Sequence, residues 1–525
     1  MRTALFCLAM LAITTFLINC TEPQNEPVED DVAPAPDDRN MFGHYIPRGL
    51  TKTSENLAPG YVMFAVPNSS SFYLIDRSGQ VVHEWKGKNR EPVYGEVGGA
   101  YLLNDGSIIQ NSYDMDFPVF AGGGEAGRLQ NISWDGKILW DFEYANEKYH
   151  HHHDMAVMPN GNILAIAWEA KAYDECVQAG RDPEQTPKAG LWPDKIVEIR
   201  PDGINGGEIV WEWHFWDHLI QDFDQTRDNY GDPAAHPELL DINKGASLPP
   251  PISQDSMDVL HAQGRVWRNE TIDNRGSDFY HSNAINYNQE LDQIAISAYH
   301  LNEILIIDHS TTTEEAAGHR GGRWGKGGDF LYRWGNPQNY HRGDSLDQRF
   351  FHQHDVRWIE RGKPGVDNLT VFNNNIPLND SVNYSSVVEL VLPVDDEGHY
   401  VIEDDAPFGP PEPVWQYIAE DTLSFWASFI SGAHRTENGN TLITEGPRGR
   451  FFEVNPEGEI VWEYLNQHRG EIRKLNGDLV EVMPFTYWGF RSTFIPADHP
   501  GLAGRDLKPL DPQPPVFKLP AKEEQ

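Results

Sequence analysis

The feature that most constrains the fold of this chain is a short phrase that recurs six times along it. Each copy runs from small or polar residues through aliphatic residues to an aromatic residue, a pattern typical of a short strand that follows a turn. The copies are SGQVVHEW at 78–85, DGKILWDF at 135–142, GGEIVWEW at 206–213, GGDFLYRW at 327–334, EPVWQY at 412–417 and EGEIVWEY at 457–464. Such self-similarity predicts one structural unit used repeatedly.

A second phrase, two strand-like runs around a turn, alternates with the first. It is clearest at 149–168, YHHHHDMAVMPNGNILAIAW, where Asn160 and Gly161 form a strong hairpin signal between two apolar runs. Further copies lie at 100–112, 281–297, 354–372 and 431–446. A third phrase, such as DKIVEIRPDG at 194–203, adds another short strand before the first phrase.

These phrases predict an all-β protein, a six-bladed β-propeller with loop insertions on one face. Four short strands per unit, repeated about six times, are typical of a propeller, whose blades stack because none can bury its faces alone. A two-sheet sandwich explains so many similar units poorly. The stretches 171–194 and 214–280 interrupt the period and are expected to be the insertions.

The N-terminal region is expected to be a targeting segment. Arg2 precedes an apolar run that is too short for a membrane span, and the run ends at Cys20 in a sequence similar to a bacterial lipoprotein box. We therefore expect a signal peptide at 1–19, lipidation of Cys20, a disordered acidic and Pro-rich tether at 20–55, the propeller at 56–500 and an extended tail at 501–525. An ordinary cleaved signal, with Cys20 incidental, is the alternative.

This segment predicts an exported protein, either an outer-membrane lipoprotein facing the periplasm or a soluble periplasmic protein. The only membrane contact expected is through the lipid anchor. With Cys20 lipidated, Cys176 has no disulfide partner, so stability must come from burial of the core. The sequence does not name the oligomeric state, and a homodimer is one expectation.

The chain carries a strong excess of negative charge, with 80 acidic and 41 basic residues and a formal net charge of −39. Such a surface repels nucleic acid, which is therefore excluded as a partner. A site for an anionic substrate would need its own positive charge. Clustered histidine and arginine are the residues to examine.

Three histidines occupy the same position in separate copies of the hairpin phrase. Aligned without gaps, the copies begin with His153, His281 and His354. Because the innermost strands of a propeller line its channel, equivalent positions in different blades converge at one end of the axis. We therefore expect these three side chains to face a shared pocket, although a histidine taken alone is more often structural.

Other residues near these positions are weaker candidates. The 431–446 copy has Ser431 at the matched position, with His434 three residues further on. His352 precedes His354 by two residues and is expected on the same strand face. Arg435, Arg448 and Arg450 are candidates to bind an oxyanion, or ordinary ion-pair partners. His150, His151 and His152 are expected to form an exposed rim or an edge where substrate enters, and not the catalytic centre.

The spacing of these histidines does not by itself choose between three kinds of chemistry. Histidines close to Asp154 and Asp355 are suitable ligands for a metal such as zinc or iron. Alternatively, histidine acts as a nucleophile and as an acid or base, while other groups stabilise an anion in transfer. A non-catalytic propeller that binds a ligand or protein is the third alternative.

Several of these motifs together resemble the bacterial arylsulfotransferases, over roughly residues 60–464. The resemblance rests on GYVMF at 60–64 with YLID at 73–76 and VVHEW at 81–85, on HHD and PNGN within 152–162, on HSNA at 281–284 with YH at 299–300, and on NGNTLITEG, GRFFEV and GEIVWEY within 438–464. Gln353 and His354 match the family's QH motif.

The resemblance implies transfer of a sulfuryl group from a phenolic sulfate ester to a phenol, without a nucleotide sulfate donor. It implies a ping-pong mechanism through a sulfated histidine and no cofactor or metal. We assign His281, His354 and His434 as catalytic, and His153, His352, Arg435, Arg448 and Arg450 as binding the sulfate or substrate.

Two features depart from the family pattern. Residues 372–376, FNNNI, lack the arginine that follows the QH strand in the better-known branch, and Ser385 and Ser386 stand where another arginine could lie. No motif places the family's covalent histidine. His434 is the nearest histidine in the corresponding blade, and the sulfate-binding role is expected to pass to Arg435, Arg448 or Arg450.

Overall fold

The computed structural model describes residues 47–66, 71–86, 99–114, 117, 119–468 and 487–516. The expected signal peptide, Cys20 and most of the expected tether lie outside these residues. The first strand begins at Gly49, inside the 20–55 stretch whose composition predicts a tether. After residue 500 the chain still contacts the body, since the Val81 amide donates to the Gln513 side chain at 2.9 Å.

The described residues are mostly strands. In chain order the strands are β1 (Gly49–Lys52), β2 (Gly60–Ala65), β3 (Ser71–Ile75), β4 (Val81–Lys86), β5 (Ala100–Leu102), β6 (Ile108–Tyr113), β7 (Gly127–Ile132), β8 (Ile138–Glu143), β9 (Tyr149–Val157), β10 (Ile163–Glu169), β11 (Asp194–Asp202), β12 (Gly206–His214), β13 (Leu219–Ile220), β14 (Leu240–Asp241), β15 (Ser282–Asn288), β16 (Gln293–Ala298), β17 (Glu303–Asp308), β18 (Tyr332–Trp334), β19 (His354–Trp358), β20 (Leu369–Asn379), β21 (Val382–Leu390), β22 (Trp415–Tyr417), β23 (Gly432–Arg435), β24 (Thr441–Glu445), β25 (Arg450–Val454), β26 (Ile460–Leu465) and β27 (Ser492–Pro496).

Helices are short. The α-helices are α1 (Tyr173–Gln178), α2 (Gln254–Ala262) and α3 (Thr313–Ala316). Single 3₁₀ turns lie at Pro183–Gln185, Phe215–Asp217, Pro337–Tyr340, Thr422–Ser424, Gly446–Arg448 and Pro500–Leu502. Among the residues that the structure describes, no helix combines the length and apolar character needed to cross a membrane.

Six small antiparallel sheets form the six blades of a β-propeller, which confirms the predicted fold. From the innermost strand outward, the blades are β27-β2-β3-β4, β5-β6-β7-β8, β9-β10-β11-β12, β15-β16-β17-β18, β19-β20-β21-β22 and β23-β24-β25-β26. We number them blades 1 to 6 in this order. Blade 1 closes the ring, since its inner strand β27 comes from the C-terminal part and pairs with β2. Strand β1 adds a fifth strand to the outer edge of blade 6.

The core lies between neighbouring blades. Leu129 and Trp140 of blade 2, for example, pack with Met155 and Val197 of blade 3 in one buried cluster. Burying such side chains contributes about 1.5–3 kcal/mol each. The described cysteine, Cys176, is a buried free thiol and adds no covalent link.

A tryptophan near the outer edge of each blade fastens it to the next one. Its indole N–H donates to a backbone carbonyl oxygen in a strand of the following blade or in a connection between two of its strands, at 2.7–3.2 Å. The six donors are Trp85, Trp140, Trp213, Trp334, Trp415 and Trp462. All six belong to the recurring phrase, so the phrase supplies both an outer strand and the contact that joins blades.

Both insertions emerge on one face. Residues 170–193 connect the C-terminal end of β10 to the start of β11. Residues 215–281 connect the C-terminal end of β12 to the start of β15. Because adjacent strands are antiparallel, both connections leave at the end where the innermost strands begin. This is also the end where the three matched histidines lie.

Candidate active site

The three matched histidines lie where the inner strands are distorted: His153 within β9, His281 directly before β15 and His354 at the first residue of β19. His153 and His281 share a left-handed conformation, each with φ of 55°. The ladders of β9, β15 and β19 with their partners each shift register close to the histidine. A bulge re-aims the side chain beside it. The repeated bulge thus turns matched sequence positions toward one place.

The rings of these histidines form one cluster together with Tyr299. The His153 and His281 ring centroids lie 4.4 Å apart, nearly perpendicular to each other. The Tyr299 ring lies 5.2 Å from that of His281 and 5.5 Å from that of His354. The structure therefore brings together the three side chains that the repeat predicts to converge.

His281 is oriented by a carboxylate from the second insertion. Its Nδ1 lies 2.5 Å from Oδ2 of Asp278, whose other oxygen accepts a hydrogen bond from the Trp168 indole at 2.9 Å. A carboxylate accepts hydrogen bonds only, so Nδ1 of His281 carries the hydrogen and its lone pair lies on Nε2. Burial alone would raise the pKa of Asp278, but His281 lowers it below its usual value.

A second carboxylate orients His153 through another histidine. Nε2 of His152 lies 3.0 Å from Oδ1 of Asp194, and Nδ1 of His152 lies 2.7 Å from Nδ1 of His153. With the His152 hydrogen directed to Asp194, its Nδ1 accepts from His153. The neutral His153 ring therefore also has its lone pair on Nε2.

His354 is held from both sides. Its Nδ1 lies 2.8 Å from Oδ1 of Asn374, while its Nε2 accepts from the Ile430 amide at 3.1 Å. Both ring nitrogens are thus engaged within the protein. This arrangement suits a fixed neutral imidazole better than a metal ligand, whose Nε2 lone pair would have to be available.

Burial keeps the imidazoles of His153 and His354 uncharged near neutral pH. It lowers the pKa of His354 to about 3. The hydrogen bond with Asn374 partly opposes this effect of burial, and the nearby His281 adds to it. Burial, followed by His281, lowers the pKa of His153 well below its usual value. Burial also raises the pKa of Tyr299 to about 12, so this hydroxyl stays protonated.

Three consecutive glycines pack over the cluster. A Cβ on Gly124 would lie 2.3 Å from the His153 ring, and one on Gly122 would lie 2.6 Å from Oδ2 of Asp278. A Cβ on Gly123 would lie 3.4 Å from the His281 ring. Side chains at Gly122 and Gly124 would therefore displace the imidazole or its carboxylate.

A layer of buried ion pairs lies beneath the histidines. Arg491 reaches Asp154 at 2.6 Å and Asp355 at 2.9 Å, and its Nη2 donates to the Asn283 carbonyl at 3.0 Å. When 490–493 is aligned with the matched hairpin copies, Phe490 corresponds to His153 and Arg491 corresponds to Asp154. Arg491 therefore stands one position after the position that the histidines occupy. Beyond the larger effect of burial, its positive charge lies close enough to His153 and His354 to help lower the pKa of both.

His434 lies on the other side of this layer. Its Nε2 is 3.5 Å from Oδ2 of Asp355, and it lines a pocket of about 230 Å³ together with Arg357 and Lys363. His434 lies three residues further along its strand than the matched position, Ser431. Its side chain is therefore on the far side of Arg491 from the three matched histidines. The structure therefore places it away from the cluster of His153, His281 and His354.

The other predicted binding residues have different surroundings. Arg435 pairs with Glu389 at 2.5 Å, Arg448 with Glu445 at 3.4 Å, and Arg450 with Glu445 and Glu463 at 3.1 and 2.7 Å. Each guanidinium is thus bound to carboxylates within or beside blade 6. His352, in contrast, belongs to the cluster, since its ring stacks on Tyr299 at 4.4 Å.

The expected exposed rim of His150, His151 and His152 is wrong. All three side chains are fully buried. His151 bonds the Ile166 carbonyl and Asn111 at 2.8 Å each, and His152 stacks on Trp168 at 4.1 Å. The first insertion and the loop at 119–126 cover this end of β9, and neither covering follows from local sequence.

Asp278, Asp194 and Arg491 are site residues that sequence reasoning missed. Asp278 stands three residues before His281 in an insertion, and Asp194 starts a strand of the same blade as His153. Two signals could have pointed to the site: the AGGGEAG run at 121–127, and the alignment of FRST at 490–493 with the starts of the other inner strands.

Comparison with solved structures finds distant likenesses. A protein of unknown function from Bacteroides caccae is 10% identical, with a TM-score of 0.41, 83% of this chain and 99% of that chain covered. Virginiamycin B lyase from Staphylococcus aureus is 11% identical, with a TM-score of 0.33, 81% of this chain and 90% of that chain covered. A functionally unknown protein from Desulfotomaculum acetoxidans is 8% identical, with a TM-score of 0.34, 80% and 98% covered.

Sequence comparison is more informative. No curated protein sequence matches the chain. The family model described as arylsulfotransferase (ASST), however, matches residues 49–473, which include strands of all six blades. Because this match covers most of the chain, the protein belongs to the arylsulfotransferase family.

Proposed function

We propose that this protein transfers a sulfuryl group from an aryl sulfate to a phenolic acceptor through a transient sulfohistidine at His281. Family membership supports the transfer of a sulfuryl group, and the single observation that selects His281 is its 2.5 Å contact with Asp278. A carboxylate behind an imidazole fixes the tautomer that has its lone pair on Nε2. It also stabilises positive charge that develops on the ring.

The first half-reaction moves the sulfuryl group to the protein. The Nε2 lone pair of His281 attacks sulfur, an S–N bond forms, the bond between sulfur and the aryl oxygen breaks, and a phenolate leaves. The ring then bears positive charge next to Asp278. The transition state is expected to be loose, as in phosphoryl transfer, so positioning and charge account for most of the catalysis.

The second half-reaction returns His281 to its starting state. A phenol gives its proton to a neutral imidazole, attacks sulfur and leaves as the new aryl sulfate while the S–N bond breaks. His153 is suited to take this proton, since its ring is 4.4 Å from that of His281 and its Nε2 bears the lone pair. Tyr299 and His352, stacked on each other beside His281, offer aromatic faces to a phenol ring.

The test uses p-nitrophenyl sulfate with phenol. The wild-type protein is expected to release nitrophenol when phenol is present, and with donor alone to accumulate a protein carrying one sulfuryl group on a histidine. His281→Asn should lose both signals. His236→Asn, at an exposed histidine of the second insertion, is the matched control and should retain them.

Two results would overturn the proposal. One is the absence of nitrophenol release with every phenol acceptor, and the other is wild-type turnover by His281→Asn. Loss of activity on removal of a metal, with metal content falling in His281→Asn, would instead favour a metal-dependent propeller enzyme.

A further inference from the structure

A second cluster of histidine and carboxylate groups lies outside the proposed active site. His218 follows the 3₁₀ turn Phe215–Asp217 at the start of the second insertion. His319 and Asp329 belong to the glycine-rich loop between α3 and β18. One ring nitrogen of His218, one ring nitrogen of His319 and a carboxylate oxygen of Asp329 all lie within 4.8 Å of one another.

The distances fit donors around one ion. Each Nδ1 is 2.8 Å from the same oxygen, Oδ1 of Asp329. Ligand atoms held at about 2.0–2.2 Å from a zinc ion in a tetrahedral arrangement lie roughly 3.3–3.6 Å apart. Small outward movements of these side chains would therefore place an ion between them.

The hydrogen-bond pattern at His218 also favours a cation. Its Nε2 lies 2.9 Å from the Ala316 carbonyl oxygen and so carries a hydrogen. In the neutral ring, the Nδ1 lone pair then faces a carboxylate oxygen, which is repulsive. The His218 side chain is fully buried. A cation between Nδ1 and Oδ1 removes this conflict.

The loop that carries the other two donors is tightly folded. The Gly328 amide donates to the Gly318 carbonyl at 2.9 Å, and a Cβ on Gly327 would lie 2.3 Å from that same carbonyl oxygen. The Trp213 indole donates to the Gly328 carbonyl at 2.7 Å, and the Trp213 ring stacks on His218. These contacts hold His319 and Asp329 next to each other, although ten residues separate them in sequence.

We propose that His218 Nδ1, His319 Nδ1 and Asp329 Oδ1 bind a divalent first-row transition metal ion, with Zn²⁺ as the first candidate. Two imidazoles and one carboxylate suit zinc or iron, and the Ala316 carbonyl accepts from Nε2 of His218, which fixes the ring with its Nδ1 lone pair available to the ion. His319 also lines a pocket of about 460 Å³ that includes Asp217 and Tyr230. Three protein donors leave a coordination position for water or for an oxygen donor from this pocket.

Zinc binding tests the proposal directly, and the outcome does not depend on sulfuryl transfer. The full, tag-free protein is treated with a chelator, dialysed and titrated with Zn²⁺ by calorimetry, with metal content measured in parallel. We expect one Zn²⁺ per chain and a higher melting temperature with zinc. Loss of a group that only hydrogen-bonds a metal ligand typically weakens metal binding by about 10- to 100-fold. His319→Ala and Asp329→Asn remove ligands themselves and should weaken zinc binding by more than this.

The variants allow a clear decision. The His319 side chain is 60% exposed, so His319→Ala is expected to fold normally. His236→Ala, at another histidine that lines the same pocket, should bind zinc as the wild type does. Equal zinc affinity of His319→Ala and wild type would overturn the proposal. Loss of the bound zinc in His281→Ala would also overturn it, because the ion would then belong to the other histidine cluster.

Discussion

Asp278 accepts a hydrogen bond of 2.5 Å from Nδ1 of His281, although it belongs to an insertion and His281 begins a blade. The same carboxylate is held by the Trp168 indole, from the neighbouring blade 3. An inserted segment thus completes the site that the repeated blades prepare.

Replacing Asp278 by asparagine should slow sulfuryl transfer by about 10- to 100-fold, corresponding to the about 1.5–3 kcal/mol of a hydrogen bond to a charged group. Asparagine can still accept from Nδ1, but it provides no negative charge for the ring that develops positive charge. Steady-state kinetics with p-nitrophenyl sulfate measure the loss, with Asp258→Asn in exposed α2 as control. Wild-type kcat in Asp278→Asn would exclude this role for the carboxylate.

Replacing Arg491 by methionine should lower the free energy of unfolding by about 3–5 kcal/mol, the usual cost of breaking a buried ion pair. The change leaves the carboxylates of Asp154 and Asp355 buried with fewer partners. Arg200→Met, which breaks an exposed pair with Glu208, should cost at most about 1 kcal/mol. Urea denaturation gives both values, and equal costs would contradict the buried layer.

The stability of the protein should fall as the pH decreases from about 6 to about 5. Burial lowers the pKa of both His151 and His354 to about 3, so the unfolded chain, with its usual pKa of about 6.5, takes up protons that the folded protein does not. The unfolding free energy then decreases with falling pH, by about 1.4 kcal/mol per pH unit for each such group once the unfolded form is protonated.

Histidines with raised pKa values do not reverse this trend. Contacts with carboxylates raise the pKa of His214 and His309 to about 9 against the effect of burial, so both are protonated in either state near pH 5. Denaturation across pH 6 to 5 should show a smaller slope for His354→Asn and an unchanged slope for exposed His236→Asn. An unaltered slope in His354→Asn would mean that its imidazole protonates equally in both states.

Replacing Trp462 by phenylalanine should cost about 1–3 kcal/mol of stability, because the partly buried Arg77 carbonyl loses its indole donor. The contact joins blade 6 to blade 1, so the loss weakens the closure of the ring. Trp267→Phe, at a half-exposed tryptophan of the second insertion, should change the denaturation midpoint little. Similar denaturation midpoints for the two variants would argue against a stabilising role for the Trp462–Arg77 hydrogen bond between the blades.

Much of the fold could be predicted because each blade carries the same short sequence phrases, which can be recognised without any long-range information. Strand phrases that contain Trp85, Trp213 or Trp462 indicate outer strands, and the same tryptophans bind the next blade. The convergence of His153, His281 and His354 could be predicted for the same reason, since matched positions in a closed ring of blades must meet. The metal-ligand alternative for these three and their catalytic roles stay predictions.

The limits of that reasoning are equally physical. His434 lies only three residues beyond the matched position, but three residues along a strand span about 10 Å. That displacement carries it past the Arg491 layer to another pocket.

By itself, then, the sequence determined the repeated blade, the six-bladed ring and the three histidines at its axis, because these depend on periodicity. Only the tertiary structure decided which carboxylates orient those histidines, which arginine lies beneath them and which histidines are buried. Asp278, Asp194 and Arg491 reach the cluster from an insertion, an outer strand and the closing strand. Such contacts depend on how distant segments pack around the axis, and no local pattern encodes that packing.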